Sequence, residues 1–199
     1  GSVSYADQIR PEAPRVIEAL RALGFRRIVM LSGDRQINAE RVAREIGVTE
    51  AAGDLLPQDK VAFVARLGKL GHRVLMVGDG ANDAPALSAS SVGLALAAHG
   101  GGISAEAADV VLLVDDLTRV PEAVAIARRT MTVARQSIGI GLGLSAVAMV
   151  AAAFGLLTPL AGALLQEGID VAVILNALRA TRSGPAEIAM HALLKETGA

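Results

Sequence analysis

From Ser137 to Leu157 the chain carries no charged residue. As a helix this run rises about 30 Å, at about 1.5 Å per residue, which matches the hydrocarbon core of a bilayer. After Thr158-Pro159 comes a second apolar run, Leu160 to Leu178, whose only charges are Glu167 and Asp170. Arg128, Arg129 and Arg135 precede the pair, Arg179 and Arg182 follow it, and the short loop between the runs has no basic residue. The positive-inside rule therefore predicts a transmembrane hairpin with both ends in the cytoplasm. A buried hairpin in a soluble protein is the alternative, and the length of the uninterrupted first run favours the bilayer.

Composition agrees with a chain of two parts. Hydrophobic residues make up 52% of the 199 positions but aromatics only 2%, so the apolar mass is Ala, Val, Leu and Ile. That mixture suits buried parallel strands and membrane helices. Nearly all the charges lie within residues 1–136, and the net charge of −1 gives no general affinity for nucleic acid. The lack of cysteine excludes disulfides, thiolate ligands and a cysteine nucleophile. The first thirteen residues, GSVSYADQIRPEA, contain no apolar core of the signal-peptide kind.

The first 136 residues alternate helix and strand signals. Helices are expected at Pro11–Leu23, Asn38–Ile46 and Pro57–Leu70, ending at Gly24, Gly47 and Gly71. Short apolar runs at Arg26–Leu31, His72–Val77, Ser91–Leu96 and Asp109–Val114 read as strands. Such alternation predicts a parallel α/β sheet with its chemistry at the carboxyl ends of the strands. Ser32-Gly33-Asp34 and Gly78-Asp79-Gly80 both fall there. A last helix, about Leu117 to Gln136, runs towards the first apolar span as a candidate continuous stalk. The division expected is thus 1–136, the hairpin 137–179 (spans 137–157 and 160–178), and a polar tail 180–199 that is compatible with a helix and carries no motif.

The stretch Met76 to Leu87, MVGDGANDAPAL, is the most informative. It brings Asp79 and Asp83 into a glycine-rich turn after a strand. Acids so spaced can hold Mg²⁺, which takes oxygen ligands and keeps waters and phosphate oxygens in its shell. Gly78 and Gly80 let the backbone approach closely, and Asn82 can donate to a phosphate oxygen. On chemistry alone the stretch is either such a site or merely a tight turn.

GDGxNDxPAL resembles the hinge motif of P-type ATPases, members of the haloacid dehalogenase superfamily. Two further motifs stand in the order of that superfamily. Ser32-Gly33-Asp34 follows a strand as the second motif does, with Ser keeping the hydroxyl where Thr is frequent. Lys60 in Pro-Gln-Asp-Lys matches the third-motif lysine. The resemblance implies that Asp79 ligands Mg²⁺ and that Asp83 supports that site or positions the attacking water. It further implies that Ser32 and Asn82 hydrogen-bond the phosphoryl oxygens, that Lys60 neutralises their charge, and that Asp34 lies near the nucleotide, ATP. The family's nucleophile is the Asp of a DKTGT motif upstream of these three, and no DKTGT occurs in this chain. Asp116-Leu117-Thr118 imitates a D-x-T motif but follows the other three, which argues against a catalytic role. The chain alone is therefore expected to be inactive, and the absent portion would include the central strand of the sheet.

Only two spans follow the hinge motif, and the second closes with Asn176-Ala177-Leu178-Arg179, as in the heavy-metal pumps. The resemblance covers about Val3 to Arg179 and implies a partner: the preceding part of the pump, in the same or a separate chain. Burying Glu167 and Asp170 at mid-membrane costs on the order of 3 kcal/mol or more each, which favours a functional role. Their spacing puts them on one helix face, with Gln166 one turn from Asp170. The three are candidate ligands of a transported divalent transition metal. The alternative is that the acids pair with charges on other helices or lie shallow near the interface. The Tyr-Asn and Met-Ser pattern of copper pumps is replaced by Leu144-Ser145 and Gln166. Gln166-Glu167-Gly168 resembles the His-Glu-Gly of a cobalt-type subgroup with His exchanged. Gly139 and Gly143 form a GxxxG pair suited to helix packing. A soluble phosphatase of the same superfamily, and a non-catalytic subunit or remnant of a split pump, are the rival readings.

Overall fold

The structure, a computed structural model, describes residues 9–79, 81–96, 103–182 and 184–195. Two compact units divide the chain, residues 1–121 and 122–199.

The first unit is built from α1 (Ala13–Ala22), β1 (Val29–Leu31), α2 (Gln36–Glu45), β2 (Glu50–Ala52), α3 (Pro57–Lys69), β3 (Leu75–Gly78), a 3-10 turn (Ala81–Asp83), α4 (Ala84–Ala89), β4 (Val92–Leu96), α5 (Ile103–Glu106) and β5 (Val110–Leu112). The three long helices stop where the sequence predicts, each followed by a glycine in the left-handed region (Gly24, φ 86°; Gly47, φ 82°; Gly71, φ 82°). Val16 and Leu20 lie four residues apart on one face of α1. They pack with Leu94 of β4 and Val120, and Phe25, Ile28, Leu75, Val77, Leu112 and Leu117 surround that nucleus. Area removed from water by such side chains, about 25 cal/mol per Å², is what holds helices against a sheet.

All strand pairings are parallel, as the alternation predicts, but they form two sheets: β1 with β2, and β3-β4-β5 with β4 central. Strand β2, which is only Glu-Ala-Ala, and the short α4 and α5 have no counterpart in the pattern of apolar runs. Arg27 holds β2 in register by donating through Nε to Glu50 Oε2 (2.8 Å) and through Nη2 to Glu50 Oε1 (2.5 Å). Among the described residues β1 and β3, like β2 and β5, each have one free edge. Their side chains are half-exposed, whereas most of central β4 is buried.

Helix α6 runs unbroken from Arg119 to Ala153, so the expected stalk helix and the first apolar run are one helix. Within the second unit it is followed by α7 (Pro159–Ala177), a 3-10 turn (Leu178–Thr181) and α8 (Pro185–Lys195). Thr158 caps α7 by accepting from the Ala161 N–H (3.3 Å), with Pro159 next. Two helices are long and apolar enough to cross a membrane, Arg119–Ala153 and Pro159–Thr181. Their apolar side chains, such as Leu142, Val147, Leu164 and Ile174, are exposed, unlike those of a soluble core. The glycine at the contact between the two helices is Gly141, where an added Cβ would lie 3.0 Å from Val173 Cγ2. At Gly139 and Gly143 nothing lies within 4 Å, so the GxxxG pair does not pack this hairpin.

Candidate functional site

The first cluster forms at the carboxyl ends of the strands. Asp59 accepts from the Leu56 N–H (2.9 Å) at the start of α3, and Lys60 follows as the fourth residue of that helix. From there Lys60 Nζ donates to Asp83 Oδ1 at 2.7 Å, both side chains being only 14% exposed. The third and fourth motifs, 23 residues apart, thus meet in one partly buried ion pair. Gly78 is needed behind it, because a Cβ there would stand 2.7 Å from Asp83 Cβ. Asp79 and Asn82 are exposed on the same turn, and Gly80 lies outside the described residues. Among the described residues Asp79 has no hydrogen-bond or ion-pair partner.

Ser32, Gly33 and Asp34 form the turn after β1. The Ser32 hydroxyl donates to Asp34 Oδ2 (3.2 Å) and accepts from the Asp34 N–H (3.1 Å). The loop after β2 clasps this turn. Asp54 N–H donates to Asp34 O (2.6 Å), Leu55 N–H donates to Ser32 O (3.1 Å), and Asp54 Oδ2 accepts from the Gln36 N–H (3.0 Å). Gln36 in turn accepts from the Gly53 N–H (2.5 Å) and donates to Ala51 O (3.1 Å). A Cβ on Gly53 would lie 2.5 Å from Gln36 Cα, so only glycine fits. No hydrogen bond or ion pair among the described residues links Ser32 or Asp34 to Lys60 or Asp83. The connection runs through the chain, from Leu55 into the start of α3. Gln36, Gly53 and Asp54 are positioning residues absent from the sequence reading; the Gly53-Asp54 pair just after β2 is the signal that could have found them.

Asp116 is a helix cap. Its Oδ1 accepts from the Thr118 N–H (2.9 Å) and hydroxyl (2.6 Å) just before α6. Partial burial pushes its carboxyl up, but the bonds from Thr118, with the charges of Arg119 and Arg10, outweigh this and hold it below the usual range. The D-x-T resemblance is therefore accounted for by capping.

The second cluster lies in the hairpin. Gln166 Nε2 donates to Asp170 Oδ1 (3.1 Å), and Ser145 Oγ of α6 donates to Gln166 Oε1 (3.2 Å). Glu167 and Asp170 are exposed, and Glu167 has no hydrogen-bond or ion-pair partner among the described residues. Towards the other end of the hairpin Asn176 Nδ2 donates to the buried Ser137 Oγ (2.8 Å). Arg129 donates to the carbonyls of Arg179 (2.7 Å) and Arg182, and pairs with Glu187 (3.4 Å). Among the described residues no three His, Cys, Asp or Glu side chains gather as a metal cage.

The haloacid dehalogenase-like hydrolase family matches residues 1–90. The manganese-exporting P-type ATPase of Mycobacterium bovis is 42% identical over 92% of this chain, and the probable cadmium-transporting ATPase of Staphylococcus aureus 36% over the same share. The crystal structure of a zinc-transporting PIB-type ATPase in its E2.Pi state superposes with a TM-score of 0.82 at 37% identity, covering 88% of this chain and 28% of that one. Over nearly its whole length the chain is similar to a part of these P-type ATPases. It spans about a quarter of the length of these curated relatives (25% of each).

Proposed function

We propose that this chain is the C-terminal part of an ATP-driven efflux pump for a divalent transition metal, working through an aspartyl phosphate. The observation that carries this reading is the Lys60–Asp83 pair, which joins two separate motifs at the strand ends in a setting only 14% exposed. A fixed ammonium there neutralises charge on a transferring phosphoryl group without reorganisation, the kind of effect worth about 10²–10³ in rate. The Ser32 hydroxyl, turned from Asp34, and the exposed Asn82 amide donate to the phosphoryl oxygens. Gly78 admits them to the backbone, and Asp34 lies towards the nucleotide.

The donor set fits Mg²⁺: hard carboxylate oxygens on one turn and, among the described residues, too few protein ligands for a closed cage, as suits an ion that keeps waters and phosphate oxygens. Asp79 would hold it with support from Asp83, and when bound it supplies charge neutralisation at the phosphate. The nucleophilic Asp comes from the preceding part of the pump, and the free edges of β1 and β3 are where a further parallel strand can pair. In the hairpin, Glu167 and Asp170 offer oxygen donors to the cargo ion, which suits a borderline or hard divalent metal better than Cu⁺. The basic residues flanking the hairpin favour a cytoplasmic first unit and a cytoplasmic tail.

The test is phosphorylation of the full-length pump carrying this sequence. Lys60→Ala is expected to lower phosphoenzyme formation at least about 100-fold from both ATP and inorganic phosphate. The isolated chain should hydrolyse no ATP. Acid-stable labelling of the isolated chain by ATP, abolished by changing one of its own Asp residues, would overturn the assignment.

A further inference from the structure

The membrane hairpin holds a hydrogen-bond chain across its two helices, from Ser145 Oγ to Gln166 Oε1 and from Gln166 Nε2 to Asp170 Oδ1. Its direction is fixed by chemistry. The amide nitrogen of Gln166 can only donate, and it faces Asp170 Oδ1, which accepts. The amide oxygen then faces Ser145, whose hydroxyl is the donor. Both ends of the Gln166 amide are thus engaged in the chain, its oxygen accepting from Ser145 and its nitrogen donating to Asp170.

We propose that Ser145 and Gln166 are positioning residues for the cargo ion: the chain fixes the Asp170 carboxylate, occupying Oδ1 and leaving Oδ2 to bind the metal from one side. Glu167, on the same helix face and without a partner among the described residues, supplies the companion oxygen. Gln166 thereby serves as the bridge of the chain, and Ser145 enters as its anchor on α6. The benefit is preorganisation, since a carboxylate already held in one rotamer loses less freedom when the ion arrives. This inference rests on the reading of Glu167 and Asp170 as cargo ligands.

The test uses the full-length pump carrying this sequence, reconstituted in vesicles, with Mn²⁺, Zn²⁺ and Cd²⁺ each titrated alone. Ser145→Ala and Gln166→Leu are each expected to raise the metal concentration for half-maximal phosphorylation by ATP about 3–10-fold, the scale of one hydrogen bond. Maximal phosphorylation should hold, as should phosphorylation from inorganic phosphate, and Ser145→Thr should behave as wild type. Because both changes break one chain, the double variant should be no worse than the worse single one. Equilibrium Mn²⁺ binding, followed by electron paramagnetic resonance, should weaken by the same factor. Additive effects, a silent Ser145→Ala, or loss of phosphorylation from inorganic phosphate in that variant would overturn the positioning role. Wild-type metal dependence in Asp170→Asn would instead sink the coordination reading beneath it.

Discussion

The two units treat their charged groups in opposite ways. In the first, Lys60 and Asp83 are already paired at 2.7 Å, and the Ser32 turn is tied by backbone bonds to the loop after β2. In the second, Glu167 and Asp170 stand exposed, and the only partner of either among the described residues is the neutral amide of Gln166. A polar cluster in water can be assembled from one segment, because solvent absorbs what is left unpaired. Carboxylates in a bilayer cannot be left so, since each costs several kcal/mol without a counter-charge. The Lys60–Asp83 pair is therefore satisfied within its own unit, while the proposed ion site needs groups beyond these two helices.

The contrast can be broken by experiment, and the largest effect should come from the paired site. In the full-length pump, Asp83→Ala leaves Lys60 partly buried and uncompensated, so phosphoenzyme from either direction should fall by about two orders of magnitude or more. Equal loss on changing Asp170 would erase the distinction between the units. Next in size, Glu167→Gln and Asp170→Asn should each weaken metal-stimulated phosphorylation about 10-fold or more, the scale of a lost ligand charge. Phosphorylation from inorganic phosphate should survive, and its loss would mark the acids as structural. A third measurement sharpens the claim of self-assembly. Gly53→Ala forces a Cβ into Gln36 and should destabilise the clasp by about 1–3 kcal/mol. Hydrogen exchange of amides 32–36 in the detergent-solubilised chain should then rise about 10-fold or more, and unchanged exchange would show the clasp to be soft.

The smallest effect concerns Asp116. Its carboxyl sits below the usual range in the folded state, so the cap stabilises above the unfolded value, near 3.9, and is lost as pH falls through the lower folded one. Asp116→Ala should cost about 1 kcal/mol at neutral pH. Thermal unfolding of this variant, compared with wild type across pH 7 to 3, should show the difference shrinking with acid; a constant difference would remove the charge from the account.

Much of this was legible because the signals are local. Helix ends at Gly24, Gly47 and Gly71 follow from a conformation that glycine adopts at little cost, and the uncharged run Ser137–Leu157 leaves few options in water. The motifs led to the Lys60–Asp83 meeting because each sits at a strand end or helix start. What stayed hidden depends on tertiary contact. Glu50-Ala51-Ala52 has no strand propensity and is a strand only because β1 and Arg27 hold it. GxxxG spacing pointed to Gly139 and Gly143, yet the helix crossing selects Gly141. Ser145 was visible only as a residue standing where another pump type has something else, since a hydrogen bond between helices has no signature in one-dimensional spacing.

The Arg129 clasp bears on how the hairpin can move. At one end α6 and α7 are joined by the short turn before Thr158. Towards the other, Asn176 grips Ser137, and Arg129 closes on the carbonyls of Arg179 and Arg182. A pair of rods pinned near both ends cannot scissor: a push along one is carried by the other. In the proposed pump, opening and closing of an ion path beside this hairpin would then come from the pair tilting as a single strut, with Ser145, Gln166 and Asp170 keeping their mutual distances.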